Sequence, residues 1–173
     1  VSGLALAATG TTRKAERSLA EQLGLTEYSE PLYLEDFSLP DLDGRMVPST
    51  DFLGQVVLLN FWAPWCHPCK KELAALQAIH EQFEGQGFSV VAISADPKGK
   101  ERVPLFIKKL SLTFHHLLDV EREVVSRFNV HVLPTSIVVG RDGRLLSKGV
   151  GEIPWDSEAG RLYIRSVLNQ VPQ

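Results

Sequence analysis

An α/β domain with a central mixed β-sheet flanked by helices is the fold class this sequence predicts, on three features. The runs "VVLLNFW" (56–62) and "FSVVAIS" (88–94) are short and apolar without alternation, as expected of strands covered on both faces. Between them Leu73, Leu76, Ile79 or His80, and Phe83 recur at helical spacing until Gly85 stops the pattern. Further on, "TSIVVG" and "RLLSKGVG" are joined through Asp142-Gly143, a strong hairpin signal. At 173 residues such a chain buries roughly 70% of the surface that its unfolded form exposes, so its core needs no metal or cross-link. An apolar fraction of 44% with 23% charged residues excludes disordered and fibrous classes. A net charge of −3 gives no general attraction to nucleic acid, which is therefore not expected as a partner.

The elements follow in chain order. The opening "VSGLALAATG" is small and apolar, and Ala5-Leu6-Ala7 has the form that signal peptidases accept; it reads as the tail of an export signal or membrane anchor, or as a terminus without structure. No other run approaches the 18 or so apolar residues of a spanning helix. In "TTRKAERSLAEQLG" (11–24), Ala15, Leu19 and Leu23 are four apart, with Thr12 as cap and Gly24 as stop, which predicts a short helix outside the main core. "YSEP" reads as a linker, so the expected organisation is an N-terminal extension over 1–30 and a domain over 31–173. Asp43-Gly44 is the turn of an N-terminal β-hairpin. The run 56–62, the helix after it and the run 88–94 form a strand–helix–strand unit, crossing over right-handedly into a parallel pair. "ADPKGKERVP" reads as a polar loop, "LFIKKL" as a helix, "FHHLLD" as a strand and "VEREVVSRF" as a helix, together a central α/β insertion. The tail "SEAGRLYIRSVLNQ" carries an apolar stripe of Leu162, Ile164 or Tyr163, Val167 and Leu168, predicting a final helix.

Cys66 and Cys69 are the only cysteines, and they lie in "NFWAPWCHPCKKEL" between the first apolar strand and the helix after it. As a structural staple the pair is weak, because closing a ring of four residues restricts the unfolded chain by only about 2 kcal/mol, against about 3 for fifteen residues. A closed zinc site needs four ligands, and there is neither a second CxxC nor a paired-histidine spacing. Covalent haem attachment needs histidine after the second cysteine, where this chain has Lys70. A redox dithiol fits better. Cys66 falls at a helix N-terminus, where free amides and the helix dipole favour a thiolate, and Lys70, Lys71 and His67 add positive charge. Cys69, one turn further in, suits resolution of a mixed disulfide. Pro68 fits the first turn, where its missing N–H has no partner to lose.

With "WCHPC" after a buried strand and "VLPT" (132–135) before another, the chain resembles the thioredoxin superfamily, and within it the exported TlpA/ResA/CcmG-type thioredoxins. The likeness covers about residues 31–173: "FSLPDLDGRMVPSTDFLGQVVLLNFWAPWCHPCKKEL" is similar to the opening hairpin and catalytic strand, "VVAISAD" to the second strand, and "LPTSIVVGRDGRLLSKGVG" to the proline loop and closing hairpin. The tail "GEIPWDSEAGRLYIRSVL" is particularly like TlpA. The resemblance implies a thioredoxin-like fold and several roles. Leu133-Pro134 would be a cis-proline loop facing the dithiol, where an extended substrate segment docks by backbone pairing. Trp65 would lie beside Cys66 and shape the docking surface with His67 and Pro68, or pack in the core. Glu72, three residues after Cys69, would bring a carboxylate to the buried thiol and assist its proton transfer, or sit solvated in the first turn. Thioredoxin proper has a buried aspartate on the strand where this chain has Asn60, a departure that agrees with the TlpA-like subgroup.

Together these imply a thiol–disulfide oxidoreductase, periplasmic or otherwise extracytoplasmic, exported or tethered through an N-terminal anchor, that uses the Cys66-Cys69 dithiol with no cofactor and no metal. Its implied partners are protein disulfides, apocytochrome c or copper-site proteins of the terminal oxidase among them, and a membrane electron donor of the thiol-reducing type. Pro68 before the second cysteine resembles the reducing members of the superfamily, which favours that direction, while His67 within the pair resembles the oxidising ones. Two alternatives stay open: a peroxiredoxin-like peroxide reductase, and a non-enzymatic chaperone for metal or polypeptide. His80, His115, His116 and His131 are expected to be structural, with His80 and His131 at the surface or its boundary.

Overall fold

The computed structural model describes residues 17–170. Its elements run α1 (Leu19–Gln22), β1 (Thr26–Glu27), β2 (Ser38–Pro40), β3 (Met46–Pro48), a 3-10 turn (Ser49–Phe52), β4 (Val56–Trp62), α2 (His67–Phe83) and β5 (Phe88–Ser94). They continue through α3 (Gly99–Leu110), β6 (His115–Leu118), α4 (Glu123–Arg127), β7 (Thr135–Val139), β8 (Leu145–Val150) and α5 (Glu158–Leu168). Six strands form one sheet in the order β1-β8-β7-β4-β5-β6. β4, β5 and β6 are parallel to one another, whereas β7 is antiparallel to β4, β8 to β7 and β1 to β8. This is the expected mixed sheet, with β6 and its flanking helices as the central insertion, and the β2–β3 hairpin stands apart from it.

The unbroken apolar runs have their explanation in two cores, one on each face of the sheet. Every residue of β4 and β5 is buried. Alternate residues face opposite ways along a strand, so Val56, Leu58 and Trp62 join one cluster with Leu73, Leu76 and Ile79 of α2 and with Trp155, while Val57, Leu59 and Phe61 join the other with Val91, Ile137 and Val125. The same period turns Asn60, between Leu58 and Trp62, towards the α2 side. Ser136 of β7 is its register partner across the β4–β7 ladder and shares that face.

Four expectations change. The helix expected over 11–24 is described only as Leu19–Gln22, capped by Ser18 with a reciprocal bond from Glu21; Thr12 lies outside the described residues, as does the segment 1–10. That helix is not outside the core: Ala20, Leu23 and Leu25 are buried in the α2-side cluster with Tyr163 and Val167. Next to it β1 pairs with β8, and Tyr28 N–H donates to the Leu146 carbonyl, so the stretch just before and within "YSEP" is stitched to the sheet edge. Second, α3 begins at Gly99 within the expected loop and runs through Pro104. Burial of Val103 and Ile107, one turn apart, outweighs the one ladder bond that proline removes. Third, Leu162 on α5 is 43% exposed; Gly160 joins the expected Tyr163, Ile164 and Val167 in the inward stripe. Fourth, His80 is buried, not superficial; His131 is exposed as expected.

Gly160 shows how tightly α5 is seated. A Cβ there would overlap the backbone of Trp155. Gly160→Ala is therefore expected to destabilise the fold by about 1–3 kcal/mol through overpacking, measured as the shift in urea unfolding; an unchanged midpoint would contradict this seating.

Candidate active site

Trp62 ends β4, and four residues later Cys66 caps α2 in extended conformation, its N–H donating to the Ala63 carbonyl. Amides of the first turn of an α-helix have no partner within the helix; Pro68 contributes none, so those of His67 and Cys69 stand at the Cys66 end. Cys66 and Cys69 are joined by a disulfide with their Cα atoms 5.4 Å apart. Cys66 is 6% exposed and Cys69 is fully buried. Pro68 lies in the first turn and is exposed, as is His67. Lys71 is exposed, and the Lys70 ammonium sits 5.7 Å above the ring of Phe106 on α3.

Leu133-Pro134 is a cis peptide. Thr135, the next residue, is the register partner of Phe61, so the proline loop lies at the same end of the sheet as the dithiol. Pro134 is buried and its carbonyl accepts from Gly151 N–H, while the Thr135 hydroxyl donates to the Val132 carbonyl. Among the described residues the N–H and C=O of Leu133 have no hydrogen-bond partner, which leaves that peptide edge open. Trp65 is 59% exposed: it is not core packing but the wall of a surface cleft.

Glu72 is almost completely buried, because Cys69, Glu72, Leu73, Leu76 and Ile79 continue one inward stripe of α2. Its Oε1 accepts from Trp155 Nε1 at 2.9 Å and from the Ser136 hydroxyl at 3.2 Å, and its Oε2 accepts from Asn60 Nδ2 at 3.1 Å. Asn60 also donates to Ser136 Oγ at 3.0 Å. Burial raises the Glu72 pKa from 4.5 to about 7, and the bonds from Trp155, Asn60 and Ser136 hold back a larger rise. A buried carboxyl is thus brought from the helix against Asn60 on the strand. Sequence reasoning singled out Glu72 but not Ser136 or Trp155. The polar Ser136 inside a buried strand was the available signal for one; Trp155, far along the chain, left none.

A second buried polar group borders this core. Both ring nitrogens of His116, Nδ1 of His80 and Nε1 of Trp62 are buried without a hydrogen-bond partner among the described residues. His116 packs against Phe114, with ring centroids 4.7 Å apart, and its pKa is lowered to about 3, first by burial and then by His115 and His80. It is a neutral ring at ordinary pH. Among the described residues no group of three or more His, Cys, Asp or Glu side chains could hold a metal ion, and no helix is long and apolar enough to cross a membrane.

Residues 33–148 match the AhpC/TSA family, more than half of the chain, and the chain belongs to that family. It is similar to the thiol-disulfide oxidoreductase ResA of Bacillus subtilis (strain 168), 32% identical over 128 residues that make up 74% of this chain and 71% of the relative. A ResA of Bacillus cereus is 32% identical over 117 residues, 68% of this chain and 67% of the relative. Among solved structures, a putative thiol:disulfide interchange protein DsbE from Chlorobium tepidum superimposes with a TM-score of 0.75 at 30% identity, over 82% of this chain and 99% of that one. With the Cys66–Cys69 pair at a strand-to-helix turn, these likenesses define a thiol–disulfide oxidoreductase of the TlpA/ResA/CcmG type.

The buried carboxyl carries a measurable consequence. Its pKa is about 7 in the fold and 4.5 as an ordinary carboxyl, so the folded chain binds this proton more tightly than the unfolded one. The resulting stability is present below pH 4.5 and lost as pH rises through about 7, a total of about 3 kcal/mol. Glu72→Gln cannot ionise, so relative to wild type it should gain about that amount between pH 4 and pH 8 in urea unfolding of the oxidised protein. A difference independent of pH would mean that Glu72 titrates as an ordinary carboxyl. Trp155→Phe removes a donor to the ionised form and should move the titration above 7.

Proposed function

We propose that this protein reduces specific disulfides in extracytoplasmic partner proteins, with Cys66 as nucleophile, Cys69 as resolving thiol and Glu72 as the group that takes the Cys69 proton. The observation that carries this reading is a buried carboxyl, bonded by Asn60, Ser136 and Trp155 and raised in pKa by burial, on the turn directly after the buried Cys69. In the reduced protein the Cys66 thiolate attacks one sulfur of a partner disulfide, and the other leaves as a thiolate. Glu72 then accepts the Cys69 proton, and the Cys69 sulfur attacks Cys66 Sγ, expelling the second partner thiolate. Two electrons pass to the partner, and the protein ends in the disulfide form seen here.

A proton acceptor must be ionised to act and close in pKa to the working pH to be effective, and burial puts Glu72 in that range. The open Leu133 peptide edge supports docking of an extended partner segment beside cis-Pro134, with Trp65, His67 and Pro68 forming the other wall. The dithiol is the only redox group this scheme needs, without cofactor or metal. The TlpA/ResA/CcmG likeness supports apocytochrome c or copper-site proteins of the terminal oxidase as partners, a membrane donor that re-reduces the dithiol, and a periplasmic or otherwise extracytoplasmic location with export or anchoring at the N-terminus. The same likeness supports 31–173 as the catalytic domain, with α1 and β1 packed onto its core and sheet edge as part of the same fold.

Cys69→Ser should accumulate a covalent adduct with a protein disulfide substrate, visible on a non-reducing gel, and Cys66→Ser should form none. Absence of adduct from the first variant, under conditions where a thioredoxin trap works, would sink the reading, and rapid hydrogen peroxide consumption by the reduced wild type would replace it with a peroxidase. In single-turnover kinetics the resolving step should accelerate as pH rises through about 7. Glu72→Gln should slow that step by roughly 10²-fold and remove the inflection near pH 7, leaving only the rise that follows the thiol's own ionisation; a variant that kept both the rate and the profile would free Glu72 of the role.

A further inference from the structure

The side of the dithiol formed by α3 has a chemistry that the exchange reaction does not require. Pro64, Trp65, Arg102, Leu105, Phe106 and Lys109 line a shallow cleft of about 390 Å³. Leu105 is 73% exposed and Trp65 59%, so its floor and rim offer apolar surface to solvent. Residues 102, 105, 106 and 109 follow one stripe of the helix, and the cleft reaches the dithiol through Trp65, which precedes Cys66, and through Lys70, which follows Cys69 and stands over Phe106.

The charge around this cleft is opposite to that of the chain. Between Lys98 and Leu110 lie Lys98, Lys100, Arg102, Lys108 and Lys109 against a single acidic residue, Glu101, in a protein of net charge −3. All six side chains are exposed. Arg102 is partly offset by buried Asp96 at 3.5 Å, but Lys70 and Lys109 make no ion pair among the described residues. An exposed apolar cleft with a cationic rim selects an anionic ligand with an apolar centre.

We propose that this cleft docks an acidic segment of the partner protein, an apolar side chain flanked by Asp or Glu, adjacent to the disulfide being reduced. The inference rests on the dithiol reading and adds the partner's chemistry to it. The apolar residue sits against Trp65, Leu105 and Phe106, and the carboxylates face Lys70, Arg102 and Lys109. The cationic rim raises the encounter rate of such partners and disfavours basic ones.

The test uses reduced protein and two peptides, each bearing one cysteine as its mixed disulfide with thiopyridine beside a leucine. The leucine is flanked by Asp and Glu in one peptide and by Lys in the other. Each turnover oxidises the dithiol and releases one peptide thiol and one thiopyridone, whose absorbance gives the rate. At low salt the acidic peptide should react about tenfold faster, and the ratio should fall towards one at about 1 M salt. Arg102→Glu with Lys109→Glu should invert the ratio and Glu101→Lys should widen it; comparing two peptides within one variant cancels any change in the dithiol itself. A ratio near one in wild type at low salt, or one unmoved by the double reversal, overturns the proposal. So does a concentration-dependent dimer in sedimentation that Leu105→Glu abolishes, since the cleft would then hold a second copy. Neutral 4,4′-dithiodipyridine separates the two levels: if wild type reduces it yet cannot tell the peptides apart, only the docking surface fails, and if wild type cannot reduce it, the dithiol reading fails too.

Discussion

The packing of one helix stripe against the sheet is the constraint on which the rest of this protein depends. Helix α2 must bury Leu73, Leu76, Ile79 and Phe83 on the β4–β5 face, and at 3.6 residues per turn the same stripe extends back through Glu72 and Cys69. A fully buried thiol and a nearly fully buried carboxyl are therefore carried into the core by the same packing that stabilises the domain. An uncompensated carboxylate at that depth would cost several kcal/mol. Three donors from three separate elements, Asn60 on β4, Ser136 on β7 and Trp155 before α5, reduce that cost without removing it. What remains leaves the pKa of Glu72 near neutrality.

This arrangement divides structure from chemistry within one helix turn. The start of α2 presents Cys66 between exposed Trp65 and His67, and the inward side of the same turn holds Cys69 and Glu72. The sheet makes both possible because β4 and β7 are antiparallel neighbours. That pairing brings the proline loop to the strand end that leads into α2, and it sets Asn60 opposite Ser136 beneath Glu72. The seating of Gly160 against the Trp155 backbone ties α5 to the same cluster, so the C-terminal helix supports the site as well as closing the core.

How far the sequence could be read depended on the range of the physics involved. Local rules found the Cys66–Cys69 window, the helix after it, both hairpins and the two buried strands, because each depends on neighbours within a few residues. Glu72 was visible by its three-residue offset from Cys69. The start of α3 was misplaced because Gly99, Lys100 and Pro104 read locally as loop, and only the burial of Val103 and Ile107 shows otherwise. His80 looked superficial for a similar reason: its ring is covered by Phe114, 34 positions later in the chain and 6.0 Å away between centroids.

By itself the sequence determined the fold class, the position of the dithiol at a helix start and the acidic residue one turn on, since strand period, helix period and capping preference are written in adjacent residues. Only the tertiary structure decided what Glu72 is chemically. Its proton affinity comes from the water it has lost and from donors 12, 64 and 83 residues away, and no local pattern encodes either. The same holds for the cationic cleft, whose basic residues become one surface only when α3 packs beside Trp65.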